Sequence, residues 1–310
     1  MKDKKMQKLV VILGATATGK TDLGIWFAKK YNGEIVSADS RLMYKEMNIG
    51  TAKPKNENGK VFVSGGIEHY MIDTMSLRKI YNVASYKRKA ISEIKKIGKK
   101  GKNAFLVGGT GLYIDAVVNN IDFPGIKSDE KLREKLEKKT LEELVCEYAK
   151  LDPLGMEKID KKNKRRLIRA IEVCKLSGKS FWENRRLESP IFDCLEVGIE
   201  VERDELLDRI KKRIRKMIKM GLKEEAISLI RKYGNIPPLQ TIGYQEWKDF
   251  TNMDIGKKEL QAIEERIILN TNKFSKRQIT WFKRNKKIHW IKTKKEAERL
   301  VKDFLKDKPV

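Results

Sequence analysis

Short, unbroken apolar runs punctuate the chain at residues 9–13, 35–38, 104–107, 194–201 and 288–291, with helical or mixed sequence between them. Runs of this length read as buried strands. Their alternation with helical sequence predicts an α/β fold, a mostly parallel sheet with helices on both faces. Between the third and fourth runs the texture changes: residues 117–193 are charged and strandless, with apolar positions at helical spacing. Ser128, Thr140 and Asn163 suit the N-caps of three helices there, and Asp152-Pro153 suits a break. The pattern predicts an all-helical insertion domain, residues 117–193, in a core made of residues 1–116 and 194–310. After the fourth run, Leu207, Ile210, Ile214 and Ile218 share one helical stripe that Gly221 terminates, and a second helix spans residues 222–232. A further helical stretch covers residues 260–287.

Composition narrows the function class. With 310 residues and 40% hydrophobic content, the chain fills a real core. The 69 Lys and Arg outnumber the 43 Asp and Glu, for a net charge of +26. Such an excess points to a polyanionic partner such as nucleic acid, the plainer reading being a lysine-rich proteome. In the stretch 260–287, Lys273, Lys276, Arg277, Lys283, Arg284, Lys286 and Lys287 interleave with Phe274, Trp281 and Phe282. That mixture suits a surface tracking an RNA backbone, or else a solvated helix with its aromatics in the core. Cys146, Cys174 and Cys194 have no paired spacing, so neither a disulfide framework nor a zinc site is indicated and a cytoplasmic location fits. The basic start followed by LVVILGATA has the look of a signal peptide. Its apolar part, however, is short and runs directly into a phosphate-loop pattern, so it reads as a first strand; no other run spans a bilayer.

That pattern is Gly14-Ala15-Thr16-Ala17-Thr18-Gly19-Lys20-Thr21, a match to G-x-x-x-x-G-K-[ST] between a strand and a helix. Glycines let backbone N–H groups wrap a phosphate, Lys20 adds charge, the Thr21 hydroxyl can hold magnesium, and the helix N-terminus faces the anion. The expected fold is thereby P-loop NTPase-like. A nucleotide hydrolase needs a second acid after another strand. The third run instead ends in Gly108-Gly109-Thr110-Gly111, which also reads as a tight turn, and there is no N-K-x-D motif. The acid is Asp39, after the second run. Because ligands sit beyond the carboxyl ends of strands, the P-loop, Asp39 and Thr110 are expected to meet. Asp39 would then be placed to accept a proton, the alternative being a cap or turn residue.

DSRLMYKEMNIGTAKP (residues 39–54), LVGGTGLYIDAV (106–117), LQTIGYQEW (239–247) and KRQITWF (276–282), following the P-loop in that order, resemble the tRNA dimethylallyltransferase family. The resemblance spans nearly the whole chain and is weakest in the insertion, where only residues 165–178 are familiar. It implies that the P-loop holds dimethylallyl diphosphate, whose diphosphate leaves as the prenyl group passes to the exocyclic amine of the adenosine 3′ to the tRNA anticodon. Asp39, Thr21 and Arg213 would be catalytic, with Mg2+ on Thr21, and Lys20 would share the leaving-group charge. Asp39, Ser40, Arg41, Leu42, Thr110, Arg165, Arg166 and Arg169, together with Gln240, Thr241, Gly243, Tyr244, Lys276 and Arg277 of the segments 240–245 and 271–278, would meet the anticodon stem-loop. Asn48 stands where the family commonly has aspartate. With only His69 and His289, the chain resembles the shorter bacterial type, expected to act as a monomer. The rival readings are a P-loop small-molecule kinase and an RNA-binding protein with a vestigial P-loop.

Overall fold

The computed structural model describes residues 6–79, 81–123, 125–182, 188–251 and 255–306. In chain order the first half of the core comprises β1 (Gln7–Gly14), α1 (Lys20–Lys30), β2 (Gly33–Ser37), β3 (Val63–Ser64), β4 (Ile67–Tyr70), α2 (Val83–Lys99), β5 (Asn103–Gly108) and α3 (Gly111–Val118). The helices α4 (Glu130–Glu137), α5 (Leu141–Leu151), α6 (Pro153–Met156) and α7 (Lys164–Ser177) follow. The chain then returns through β6 (Phe192–Ile199), α8 (Arg203–Lys219), α9 (Leu222–Tyr233), α10 (Lys257–Phe282), β7 (His289–Ile291) and α11 (Lys294–Lys306).

Among the described residues the strands form one sheet, ordered β3-β4-β2-β5-β1-β6-β7, parallel except for the antiparallel β3–β4 pair. The central strands are continuous apolar runs because both faces are covered. Along β1, Leu9, Val11 and Leu13 face a core shared with Tyr86, Ala90, Ile94 and Ile97 of α2, while Val10 and Ile12 face Phe27 of α1 and Ala297 and Val301 of α11. Each such aliphatic side chain, fully buried, contributes about 1.5–3 kcal/mol. No helix among the described residues is long and apolar enough to cross a membrane.

The structure departs from the pattern reading in several places. The β3–β4 hairpin, turned by Gly65 and Gly66 with φ of 58° and 70°, has strands too short to carry a periodic signal. The buried stripe of α8 is Leu206, Ile210, Ile214 and Met217; Leu207 and Ile218 flank it, because the helix is rotated slightly from the frame the apolar residues suggest. Helix α10 stops at Phe282, so Lys283, Arg284, Lys286 and Lys287 lie beyond it. Phe282 belongs to the core, whereas Phe274 is exposed.

Contacts divide the chain into a unit of residues 1–118 and 190–310 and a second unit of residues 119–189. The second is built from capped helices. Thr140 and Glu143 form a reciprocal capping box on α5, Asp152 caps α6 with Pro153 in its first turn, and Asn163 caps α7. Asp129, one residue after Ser128, caps α4. At the centre of this unit lies the fully buried Glu172. It accepts from Arg133 at 2.9 Å through both Nε and Nη2, from Arg169 Nη1 at 2.5 Å and from the Asp129 N–H at 2.8 Å.

Candidate active site

The phosphate loop joins β1 to α1. Gly19 at φ 86° turns the chain into the helix, and the Thr18 hydroxyl donates to the Ala15 carbonyl at 2.9 Å, tying the loop across its own base. Lys20 Nζ donates to the same carbonyl. Burial pushes the Lys20 ammonium down to about 8; Asp39 opposes that shift and Arg213 adds to it. A cation held this close to its proton-loss point gains most when an anion arrives.

Asp39 follows β2 after one residue, Ala38. Its N–H donates to Ser37 Oγ at 3.3 Å and its Oδ1 accepts from the Arg41 N–H at 2.8 Å, an Asx turn that fixes the carboxylate. The ends of β2 and β5 are locked together: the Thr110 N–H donates to the Ala38 carbonyl at 3.0 Å, and the Ser40 N–H donates to Thr110 Oγ1 at 3.1 Å. The glycines around Thr110 serve close approach. A Cβ on Gly108 would stand 2.2 Å from the Ala38 oxygen, one on Gly109 2.4 Å from Gln278 Nε2, and one on Gly111 2.3 Å from the Trp281 ring.

From α8, Arg213 donates to Thr16 Oγ1 at 3.1 Å and to the Thr51 carbonyl at 3.4 Å. Burial lowers its pKa and Asp39 works against that, but a guanidinium remains charged throughout. Thr51 is presented by a loop with its own scaffold. Glu225 of α9 accepts from the Asn48, Ile49 and Gly50 N–H groups at 3.1, 2.9 and 3.0 Å and from the Tyr244 hydroxyl at 2.7 Å. The buried Lys53 ammonium donates to the Tyr44 carbonyl at 2.8 Å, to Asn48 Oδ1 at 3.0 Å and to Asp73. The Asn48 amide oxygen thus accepts from lysine as a carboxylate would.

Thr16, Asp39, Ser40, Arg41, Thr110, Arg213, Gln240, Thr241, Gly243 and Arg277 line one cavity of about 390 Å³. Its remaining wall includes Ile210, Ile214, Met217, Ile267 and Phe274, an apolar surface beside one carboxylate and three guanidinium groups. Ala15, Thr18 and Lys276 line a neighbouring cavity of about 490 Å³. A larger groove of about 740 Å³ between α8 and α10 contains neither the P-loop nor Asp39 nor Arg213 and offers no comparable chemistry. Leu42 is half-buried outside these linings. Tyr244 is fully buried against Glu225, so its contribution is to the loop scaffold. In the second unit, the Arg166 guanidinium lies 5.5 Å from the Trp182 ring and Arg169 is engaged by Glu172 and by the Ile126 carbonyl at 3.0 Å; Arg165 lies beside them in the first turn of α7. His69 is buried on β4 with its ring edge-on to Phe62. The pattern reading missed Thr51 and Glu225, whose roles arise from backbone contacts between segments far apart in sequence.

A P-loop, an acid and an arginine converging beyond the carboxyl ends of a parallel sheet define a P-loop α/β protein whose site suits group transfer. The family model described as IPP transferase matches residues 42–285, and this chain belongs to that family. It is 41% identical over 304 residues to the tRNA dimethylallyltransferase of Pelotomaculum thermopropionicum, covering 96% of this chain and 94% of that protein. It is 38% identical to that of Finegoldia magna, covering 97% and 99%. Among solved structures, the full-length tRNA isopentenylpyrophosphate transferase of Bacillus halodurans matches with a TM-score of 0.71 at 32% identity, covering 97% of each chain. A eukaryotic dimethylallyltransferase acting on tRNA shares the fold, with a TM-score of 0.80 at 22% identity, covering 98% of this chain and 81% of that one.

Proposed function

We propose that this protein transfers a dimethylallyl group from dimethylallyl diphosphate to the exocyclic amine of the adenosine 3′ to the anticodon in tRNA, releasing diphosphate. The observation that carries the reading is one cavity holding Asp39, Arg213 and Thr16 of the P-loop beside an apolar wall. The amine lone pair forms the new N–C bond as the C–O bond to diphosphate breaks, and that electron pair leaves on the diphosphate. Asp39 takes the proton from the nitrogen, a real contribution because an amine conjugated to a purine is a poor nucleophile. Arg213 and Lys20 face the charge that accumulates on the leaving oxygen. The apolar residues accommodate the prenyl chain, and excluding water there protects a carbon that would otherwise be hydrolysed.

Magnesium fits as a partner of the diphosphate. Among the described residues no group of three or more His, Cys, Asp or Glu gathers into a dedicated cage, and an ion of this kind is characteristically held by one or two protein groups with substrate phosphates and water. The Thr21 hydroxyl at the start of α1 would be the protein's ligand, and the ion would supply further neutralisation of the leaving group.

For the acceptor base to reach Asp39 it must leave the anticodon stack, at a cost of a few kcal/mol by order of magnitude. The phosphate contacts proposed for tRNA are Arg165, Arg166, Lys276 and Arg277, with Ser40, Arg41, Thr110, Gln240 and Thr241 nearer the base. Cys146, Cys174 and Cys194 form no disulfide among the described residues; action in the cytoplasm is the proposed setting, and a monomer the proposed working state. The test is incubation of unmodified tRNA with labelled dimethylallyl diphosphate and magnesium, without ATP. Incorporation that Asp39→Ala abolishes supports the reading. ATP consumption with small acceptors, and no label in tRNA, overturns it in favour of a kinase.

A further inference from the structure

Gln278 is the side chain through which α10 grips the phosphate loop. It is 8% exposed, and both ends of its amide are committed. Its Oε1 accepts from the Thr16 N–H at 2.9 Å and its Nε2 donates to the Gly109 carbonyl at 2.8 Å. The orientation of the amide is dictated by its partners, since a backbone N–H only donates and a backbone carbonyl only accepts. One side chain therefore spans the loop after β1 and the loop after β5. Its own position is fixed by neighbours. Gly109 has no room for a Cβ beneath it, and on the next turn Trp281 packs over Gly111 while donating to Asp115 at 2.9 Å, which sets the rotation of α10.

Thr16 is held from two sides: its N–H by Gln278 and its hydroxyl by Arg213. The N–H claimed by Gln278 is withheld from a ligand. What Gln278 supplies is the direction of the loop, and hence of the N–H groups further along it that can face an anion.

We propose that Gln278 is a positioning residue that sets the diphosphate-gripping shape of the P-loop through Thr16, and is not an RNA contact. The assignment rests on the donor being a diphosphate, as in the function proposed above. It parts from the expectation that the basic stretch 271–278 acts as a unit toward tRNA, because the amide oxygen and nitrogen are each already engaged by the backbone of the loops after β1 and β5.

The test uses Gln278→Met, which keeps the length and removes both hydrogen bonds, and Gln278→Glu, in the full-length protein. For Gln278→Met, inorganic diphosphate binding by calorimetry should weaken, and the KM for the prenyl donor should rise, by roughly 5- to 150-fold, the range for losing buried hydrogen bonds. Affinity for tRNA measured without donor should stay within about twofold, since no RNA contact is removed. In Gln278→Glu the ionised carboxylate faces the Gly109 carbonyl. Once protonated, it again offers an acceptor to Thr16 and a donor to Gly109. Diphosphate affinity of this variant, relative to the parent protein at the same pH, should therefore recover as pH falls, a readout that packing alone does not move. The pH arm also serves if Gln278→Met fails to fold. Unchanged diphosphate affinity, a loss of tRNA affinity instead, or equal losses of both with no recovery at low pH would each overturn the proposal. Because diphosphate binding is measured without tRNA or turnover, its result stands apart from whether prenyl transfer itself is observed.

Discussion

Arg213 of α8 donates to the hydroxyl of Thr16 in the phosphate loop at 3.1 Å, across a sequence separation of 197 residues. The same guanidinium reaches the Thr51 carbonyl, so it is aimed by two fixed acceptors. Lysine at this position keeps the charge but has no planar fork to satisfy both. Arg213→Lys should lower kcat by about 10²- to 10³-fold, the scale for removing one preorganised donor from a developing negative charge. Steady-state kinetics of prenyl transfer checks this; a variant with full kcat and only a lower unfolding midpoint would make Arg213 a packing residue.

Lys20 gives two pH effects of opposite sign. Burial holds its folded-state value at about 8, below the ordinary 10.5. Between those values the unfolded chain carries the proton and the folded chain does not, so this group's contribution makes stability rise with pH across that window. Diphosphate binding runs the other way. It requires the ammonium, so affinity should fall as pH rises above about 8. Calorimetric titration with inorganic diphosphate from pH 7 to pH 9.5, beside denaturant unfolding at each pH, separates the two. Lys20→Met should flatten the high-pH part of both curves.

The legible parts of this protein were those written in local sequence. The P-loop is contiguous, β1 and β5 carry unbroken apolar runs, and Asp39 stands two residues past β2. Thr140 and Asn163 announce helix starts because a cap acts over three residues. What escaped depends on pairs that no window contains. The β3–β4 strands are defined by each other, the buried face of α8 by the helices it meets, and Thr51 enters the site only because Glu225 gathers three N–H groups in another segment. The Gly108-Gly109-Thr110-Gly111 run was visible, but its reason was not: the glycines make room for Ala38, Gln278 and Trp281. Tyr244 shows the reverse error, a polar side chain in a motif shared with the family whose hydroxyl is spent in the interior.

Glu172 offers a test of the helical unit alone. Burial pushes its carboxyl up, but Arg133, Arg169 and the Asp129 N–H outweigh this and hold it below the usual range. Its contribution to stability is therefore present above the ordinary carboxylate range and is lost as pH falls through the lowered folded value. Glu172→Ala removes the buried acceptor shared by Arg133, Arg169 and the Asp129 N–H and should cost about 1–3 kcal/mol. Hydrogen exchange of residues 119–189 should quicken in the variant, while amides of the central sheet keep their protection. Uniform loss of protection across both units would mean that they unfold as one.

Arg277 and Phe274 bear on how the acceptor base is held. The guanidinium lies 5.9 Å from the Phe274 ring centre, and both side chains are exposed and line the cavity that contains Asp39. An exposed aromatic with a cation over it forms a platform on which a splayed base can stack beside its own phosphate. The two substitutions should then fail differently. Arg277→Ala should reduce the slope of log affinity against log salt by about 0.7, one phosphate contact on a single strand. Phe274→Ala should leave the slope intact and weaken binding by about 1–3 kcal/mol at every salt concentration. Filter binding of an anticodon stem-loop at a series of salt concentrations measures both. Parallel loss of slope in the two variants would mean that the ring merely props the arginine, and that the base is stacked elsewhere in the cavity.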